Sequence, residues 1–279
     1  MPARKAYGQN VQALRQVDLA ARREVAEHLI MQAGALAQSY FLDPGRQAAT
    51  RKGAHDWVTA ADRAVEDMLR GALLEAFPQD HFLGEESGAS SDLGHAPLWV
   101  VDPIDGTQEF ARGSRNWCIT IALVHGDQVQ LGLVLDPMAQ EFYCATYGAG
   151  ATLNGQPMAV SSATDLADGV VTIEFSTHTP AAEVVATMSR LLDHGGTFQR
   201  GGSGALGLCQ VATGRSIGFV EAFMYPWDCL APLLLISEAG GRCSDFIGQG
   251  SLPAGGPVVA GTPGVYDELC WVLSGHQGT

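Results

Sequence analysis

The sequence predicts a mixed α+β and α/β fold in which helical and sheet layers alternate. Three observations lead to this prediction. Apolar residues recur at helical spacing near the start of the 279-residue chain. Short strands joined by turns follow, as in an antiparallel meander, and strands then alternate with helices. Apolar residues make up 46% of the chain and charged residues 16%, which is typical of a compact enzyme.

The first half contains two predicted helices followed by a meander of strands. Apolar residues at helical spacing predict a helix over 11–38, and a second helix begins at residue 59 or 60 and ends at Phe77, before Pro78. Short apolar runs predict strands at 81–83, 98–101, 119–124, 129–135 and 141–146. The Asn154-Gly155 pair predicts a hairpin turn.

The second half alternates strands and helices. Strands are predicted at 170–175 and 219–222, and helices at 181–192, 205–213 and 228–238. Gly240-Gly241 closes the last of these helices.

Charge and composition exclude several kinds of partner. A formal net charge of −14 makes nucleic acid and an anionic membrane poor partners. The longest apolar stretches, such as 230–236, are too short to span a bilayer, and the N-terminus lacks an unbroken apolar export segment. The six cysteines have no C-x-x-C spacing, so we expect reduced thiols in a cytoplasmic protein.

The most informative motif is D-P-I-D-G-T at 102–107. It follows the apolar run 98–101, so Asp102 and Asp105 lie at the carboxyl end of a strand, where open α/β folds place their chemistry. Pro103 has no N–H to donate, so the chain is expected to leave the sheet there. Two carboxylates on a turn predict a site for a hard cation. An ordinary surface turn is the alternative, since Asp, Pro and Gly are common turn formers.

Further acidic residues occupy similar positions elsewhere in the chain. Glu85 and Glu86 follow the short strand at 81–83, whereas Asp62 and Asp228 lie near the starts of predicted helices. Each has an ordinary explanation alone, because helix N-termini favour acids and most Glu-Glu pairs are solvated.

Together these segments resemble the inositol monophosphatase family, whose members are Mg²⁺-dependent, lithium-sensitive phosphomonoesterases with an α-β-α-β-α sandwich. The resemblance runs from about residue 11 to 270 and is carried by G-E-E at 84–86, D-P-I-D-G-T at 102–107 and W-D-C-L-A at 227–231. It is supported by D-x-V-T-x-x-D at 56–62 and E-A-G-G at 238–241. It implies one catalytic domain over 1–279, with a metal-binding α+β half at about 1–160 and an α/β half at 161–279.

The resemblance also implies a set of metal ligands. One Mg²⁺ would be held by Glu85, Asp102 and the Ile104 carbonyl, and a second by Asp102, Asp105 and Asp228. A third, weaker ion is expected near Glu85. All of these ligands are oxygens, which suits Mg²⁺ and argues against zinc.

Catalytic and substrate residues follow from the same resemblance. Thr107, paired with Asp62, would orient and deprotonate the attacking water, and Glu85 belongs to the same catalytic group. The backbone N–H groups of Gly106 and Thr107 would contact phosphate if a helix begins there. The other residues expected around the substrate are Ser203, Gly204, Ala205 and Glu221. Two further candidates for the site are Lys52, which resembles a family lysine near the metals, and Glu86 of the G-E-E motif.

The resemblance predicts hydrolysis of a small phosphomonoester, such as inositol 1-phosphate, but leaves the substrate open. Gln108-Glu109 follows the motif where inositol-type members usually have Thr-Asn, and Glu109 favours the nucleotide 3′-phosphatase branch. Histidinol-phosphate phosphatases share the same motifs, and a non-catalytic binding protein is a further alternative. The expected partner is a small phosphorylated metabolite; homodimer formation and lithium inhibition are family-level expectations.

Overall fold

The computed structural model describes residues 3–43, 49–53, 56–89, 96–250, 252 and 254–275. Side chains are described from residue 19 onward, apart from those of 44–58 and the other gaps. In this part of the chain the α-helices are α1 Ala3–Phe41, α2 Ala60–Ala76, α3 Thr107–Ala111, α4 Ala181–Asp193, α5 Gly204–Ala212, α6 Pro226–Glu238 and α7 Tyr266–Ser274.

The strands form two large sheets and a hairpin. The hairpin pairs β1 Ala49–Gly53 with β2 Asp56–Thr59. The first sheet contains β3 His81–Gly84, β4 Gly88–Ala89, β5 Leu98–Asp105, β6 Cys118–His125, β7 Gln128–Asp136, β8 Glu141–Thr146, β9 Ala151–Leu153 and β10 Gln156–Pro157. The second contains β11 Val170–Ile173, β12 Thr197–Gln199, β13 Gly218–Met224, β14 Arg242–Cys243 and β15 Gly256–Gly261.

The strand order confirms an antiparallel first half and an alternating second half. The first sheet runs β10-β9-β8-β7-β6-β5-β3-β4, and among its described strand pairs only β3–β5 is parallel. The second sheet runs β12-β11-β13-β15-β14, with β11 parallel to both of its neighbours.

The structure confirms five layers in the order α-β-α-β-α. Three apolar cores pack them together, and the second core covers both sides of the middle helical layer. The first core lies between helices α1 and α2 and the first sheet, and Ile30, Leu69 and Trp99 belong to it. The second core surrounds α5 and α6 between the two sheets. The third lies between the second sheet and helices α4 and α7.

Strand β5 contributes to two of these cores. Leu98 and Val100 point to the α5–α6 core, and Trp99 and Val101 point to the α1–α2 core. Because successive side chains of a strand face opposite ways, a strand buried on both faces is apolar throughout. This position explains the unbroken apolar run ahead of the D-P-I-D-G-T motif.

The expectation that the chain leaves the sheet at Pro103 is wrong. Strand β5 continues to Asp105 and contains a β-bulge, because Asp102 pairs with Thr120 and Asp105 pairs with Cys118. Moving three residues along β5, from Asp102 to Asp105, therefore corresponds to moving two residues along β6, from Thr120 to Cys118. A bulge is one of the few positions in a sheet that tolerates a residue without an N–H.

Two findings bear on the remaining expectations from composition. All six cysteines are free thiols. Among the described residues, no helix has a segment long and apolar enough to cross a membrane.

Candidate active site

Three carboxylates meet where β5 ends and α6 begins. Asp102, Asp105 and Asp228 each place a carboxylate oxygen within 4.8 Å of the others. Asp102 and Asp105 flank the bulge of β5, and the Asp102 carboxylate accepts the Ile104 N–H at 2.8 Å. The bulge therefore turns both aspartates toward one point.

Helix α6 brings the third carboxylate from the second half of the chain. Asp228 lies in its first turn and accepts the Tyr225 N–H at 3.2 Å. The Thr120 hydroxyl of β6 donates to the Trp227 carbonyl at 2.6 Å, which fixes the start of the helix against the first sheet. Gly132 of β7 permits the close packing of α6, because a Cβ there would lie 2.5 Å from the Ala231 carbonyl oxygen.

Burial makes this group of carboxylates costly to ionise. Burial raises the pKa of Asp105 to about 6 and the pKa of Asp228 to about 7. It raises the pKa of Asp102 well above its usual value, and the negative charges of Glu85, Asp228 and Asp105 add to the shift. A divalent cation would offset this repulsion, and the all-oxygen donor set fits Mg²⁺.

A second acidic group lies at the start of α2. Carboxylate oxygens of Asp62, Glu85 and Glu86 lie within 4.8 Å of one another. Asp62 accepts hydrogen bonds from the N–H and the hydroxyl of Thr59, which caps the helix. Burial raises the pKa of Asp62 to about 6.

Thr107 connects the two acidic groups. Its hydroxyl lies 3.2 Å from the Asp62 carboxylate and 3.0 Å from the Ile104 carbonyl oxygen. It is the first residue of α3, so a helix does begin directly after Gly106. Gly106 has a φ of 93°, and a Cβ there would lie 2.9 Å from the Asn116 carbonyl oxygen, so this position requires glycine.

Sequence reasoning missed Glu66, which holds the turn that carries Glu85. Its buried carboxylate accepts the N–H groups of Glu86 and Ser87, each at 2.8 Å. A side chain at Gly84 would collide with this carboxylate. No motif marks a single glutamate in the middle of a helix as the partner of a distant turn.

The start of α5 contacts Asp105 directly. The Ser203 hydroxyl and the Ala205 N–H, the latter at 2.9 Å, both donate to the same carboxylate oxygen of Asp105. Gly204 lies between them, with the Glu221 carboxylate 3.7 Å from the position of a Cβ. These predicted substrate residues therefore orient a predicted metal ligand.

Glu174 holds the loop ahead of α5 and was also missed. One of its buried carboxylate oxygens accepts the N–H groups of Gly201 at 2.5 Å and Gly202 at 2.8 Å. The other lies 3.3 Å from the Arg200 guanidinium. An acid directly after the β11 strand is the one signal that could have identified it.

The remaining predicted residues lie around this centre. Glu221 is buried in β13, and burial together with the negative charge of Glu174 raises its pKa well above the usual value. Glu109 is buried, pairs with Arg112 and packs against Gly202. The backbone of Lys52 lies in β1, but its side chain lies outside the described residues.

Comparisons with known proteins agree with this arrangement. The model of the inositol monophosphatase family matches residues 18–275. The curated protein Nus factor SuhB of Escherichia coli strain K12 is 35% identical over 248 residues, covering 88% of this chain and 92% of that protein.

Two solved structures share the fold over nearly their whole length. The extragenic suppressor protein suhB from Bartonella henselae has a TM-score of 0.81 and 27% identity, covering 90% of this chain and 98% of that one. The inositol monophosphatase from Anabaena (Nostoc) sp. PCC 7120 has a TM-score of 0.76 and 31% identity, covering 95% and 96%.

Proposed function

Because the chain belongs to the inositol monophosphatase family, we propose that it hydrolyses a small phosphomonoester with Mg²⁺ and releases an alcohol and inorganic phosphate. The observation that carries the proposal is the group of Asp102, Asp105 and Asp228, whose carboxylate oxygens lie within 4.8 Å of one another. The Thr107–Asp62 pair lies beside it. Metal ligands and a proton acceptor are therefore adjacent.

The proposed metal ligands come from both halves of the chain, so we treat residues 1–279 as one catalytic domain. One Mg²⁺ would be held by Glu85, Asp102 and the Ile104 carbonyl. A second would be held by Asp102, Asp105 and Asp228, and a third, weaker ion would lie near Glu85. When bound, Mg²⁺ supplies Lewis-acid chemistry, since it makes water more acidic and offsets negative charge on phosphate oxygens.

Thr107 and Asp62 would orient and deprotonate the attacking water. The Thr107 hydroxyl is 3.2 Å from the Asp62 carboxylate, so a proton received at the hydroxyl oxygen has an acceptor within reach. Burial raises the pKa of Asp62 to about 6, which leaves this carboxylate largely ionised at pH 7 and close to the ideal strength for a base.

The groups proposed to bind substrate lie on two sides of the acids. The backbone N–H groups of Gly106 and Thr107, at the start of α3, would contact phosphate, since no Cβ at Gly106 obstructs the approach. Glu221 would hydrogen-bond a hydroxyl of the leaving alcohol. In its neutral form, which the raised pKa favours, this carboxyl can donate one hydrogen bond and accept others.

The substrate is proposed as inositol 1-phosphate or a similar ester, with 3′(2′),5′-bisphosphate nucleotides and histidinol phosphate as alternatives. The cysteine pattern leads us to propose a cytoplasmic protein, and membership of the family leads us to propose homodimer formation and lithium inhibition.

A second candidate is a role in transcription, because the curated relative is named Nus factor SuhB. The expectation that this acidic chain has no nucleic-acid partner does not fit that name.

A phosphate-release panel tests the proposal. The substrates are inositol 1-phosphate, 3′-phosphoadenosine 5′-phosphate, histidinol phosphate and fructose 1,6-bisphosphate, each assayed with Mg²⁺ and with EDTA. We expect Mg²⁺-dependent release from at least one, with a preference of about tenfold or more, or about 1.4 kcal/mol of transition-state binding. Release that is equal in EDTA contradicts the proposal, and failure on all four points to a phosphorylated metabolite outside the panel or to a binding role.

A further inference from the structure

A cavity of about 330 Å³ lies along helix α6, between the first sheet and the segment that follows β14. The α6 residues that line it are Leu230, Leu233, Leu234 and Ser237. Leu230 and Ser237 follow Asp228 by two and nine residues. At about 3.6 residues per turn, both therefore lie about half a turn from Asp228 around the helix. The cavity lies behind the helix that carries a proposed metal ligand, on the side away from the proposed active site.

The buried residues that line the cavity are apolar. They are the three leucines of α6, together with Val129 from β7 and Phe246 from the segment after β14. The volume of the cavity is at the lower end of the range of about 300–1,000 Å³ that is usual for small-molecule sites. A small apolar body could therefore occupy this part of the cavity.

The electrostatic surroundings of the cavity favour a cation. Glu238, at the end of α6, and Asp245, after β14, are among the lining residues. Neither carboxylate forms an ion pair within the described part of the chain, where the lining contains no lysine, arginine or histidine. The last turn of α6 has no basic side chain, so the negative end of the helix dipole adds to these charges.

Tyr147 adds an aromatic ring to the rim of the cavity. Its side chain is 56% exposed. Glu238 fixes the segment that follows it, because the Glu238 carboxylate accepts the N–H groups of Gly148 and Gly150, each at 2.8 Å. Aromatic rings attract ammonium ions, so this ring and the carboxylates favour the same class of ligand.

We propose that the cavity binds a small organic ammonium ion with an apolar body. The apolar body would pack on the leucines of α6, and the ammonium group would lie at the rim with Asp245 and Tyr147. The same carboxylates would repel an anionic phosphomonoester. The site is therefore separate from the proposed hydrolysis, and the inference does not rest on that function.

Three compounds of similar shape isolate the contribution of charge. Calorimetry at pH 7 compares 4-phenylbutylamine, which is a cation, with neutral 4-phenylbutanol and anionic 4-phenylbutyrate. We expect saturable binding of the amine, binding of the alcohol that is at least about tenfold weaker, and the weakest binding for the carboxylate. An amine that does not bind saturably, or that binds no more tightly than the alcohol, overturns the proposal.

Ser237→Lys tests whether the amine lies in this cavity, because it places a second cation in the wall. Ser189→Lys in α4 is the matched control, since Ser189 is also an exposed helical serine and lies outside the cavity lining. We expect Ser237→Lys to weaken amine binding at least about tenfold, because like charges repel. Ser189→Lys should stay within about threefold of the wild type. Equal affinities in the two variants would overturn the assignment.

Asp245→Asn tests the charge without adding bulk. Asparagine keeps an acceptor oxygen for the Gly248 N–H, which Asp245 accepts at 2.9 Å. We expect weaker binding of 4-phenylbutylamine and unchanged binding of 4-phenylbutanol, because only the charge is lost. Equal losses for the two compounds would show that the carboxylate does not select the cation.

Titration in EDTA and in excess Mg²⁺ separates this cavity from the proposed metal site. The cavity lies behind α6, so we expect Mg²⁺ to leave the affinity for the amine within about threefold of its value in EDTA. Amine binding that Mg²⁺ abolishes would place the amine at the Asp102, Asp105 and Asp228 carboxylates and overturn the proposal. Amine binding without Mg²⁺-dependent phosphate release would reject the hydrolase function and retain this site.

Discussion

Asp102 and Asp105 owe their orientation to one extra residue in strand β5. Their register against Thr120 and Cys118 shows that the bulge lies between them. In a regular strand, residues three positions apart would point to opposite faces of the sheet. The bulge corrects this alternation, so that both carboxylates reach Asp228.

The Thr107 hydroxyl is the first test at the scale of single residues. Thr107→Ala removes the hydroxyl that joins the attacking water to the Asp62 carboxylate, so we expect kcat to fall about 100-fold or more while Mg²⁺ binding in calorimetry changes little. Thr107→Ser is the matched control, because it keeps the hydroxyl, and it should retain most of the activity. Wild-type kcat in the alanine variant would remove Thr107 from the mechanism.

The raised carboxyl pKa values predict how stability depends on pH without metal. The pKa values of Asp62 and Asp105 are about 6, and that of Asp228 is about 7, against about 3.9 for an unfolded aspartate. Between about pH 4 and 7 the folded protein therefore binds more protons than the unfolded chain. The contribution of these groups to the free energy of unfolding falls as pH rises through that range.

Asp105→Asn isolates one of these groups, because an amide does not ionise. We expect its free energy of unfolding in EDTA to exceed that of the wild type by about 1–3 kcal/mol at pH 8. The difference should shrink toward pH 4, where the wild-type carboxyl is also neutral. Urea denaturation at pH 4, 6 and 8 measures it, and a difference that does not vary with pH would refute the explanation.

At the scale of elements, the loop between β12 and α5 positions the donors that hold Asp105. Glu174 fixes this loop through two N–H groups that bond to a single carboxylate oxygen. Glu174→Gln keeps an acceptor oxygen for these N–H groups and removes only the charge that faces Arg200. Glu174→Ala removes the acceptor and the charge. The two substitutions therefore separate the hydrogen bonds from the ion pair.

We expect Glu174→Ala to weaken Mg²⁺ binding about 10-fold or more, since partners of metal ligands typically contribute 10- to 100-fold. Glu174→Gln should stay within about threefold of the wild type. Glu141→Ala is a control, because it also removes a Glu–Arg pair, with Arg215. Calorimetric Mg²⁺ titration measures all three, and equal losses in Gln and Ala would assign the effect to the ion pair instead.

The elements could be predicted from the sequence more completely than the contacts between them. Hydrophobic periodicity depends on which face of an element is buried, so it located α1, α2 and the meander correctly. It could not reveal the bulge at Pro103, because proline signals an interrupted sheet whether the strand ends or bulges. Glu66 and Glu174 were missed because their partners are distant backbone N–H groups.

For the whole molecule, the site depends on how closely its layers pack. The first sheet carries Asp102 and Asp105, and α6, in the middle layer, carries Asp228. Gly132 determines how near α6 lies to the sheet. A substitution that moves α6 away from the first sheet should therefore also weaken metal binding at the proposed site.

Gly132→Ala tests this coupling. Its Cβ would force the Ala231 backbone away, so we expect a loss of about 1–3 kcal/mol in the free energy of unfolding and weaker Mg²⁺ binding. Gly71→Ala in α2 is the matched control, because a Cβ there would contact nothing within 4 Å beyond its own helix backbone and chain neighbours, and alanine favours a helix. Denaturation measures the free energy of unfolding, and calorimetry measures Mg²⁺ affinity. A destabilised Gly132→Ala protein with unchanged Mg²⁺ affinity would show that packing and the site are independent.

The central claim is that the carboxylates of Asp102, Asp105 and Asp228 hold Mg²⁺ for phosphoester hydrolysis. Asp105→Asn tests this claim most directly. The measurement is phosphate release at saturating substrate as Mg²⁺ is increased, for the wild type, Asp105→Asn and the exposed control Asp127→Asn. We predict Mg²⁺-dependent release in the wild type and the control, and a loss of about 100-fold or more in Asp105→Asn, whose fold persists in EDTA. Unchanged Mg²⁺-dependent turnover in Asp105→Asn would contradict the claim.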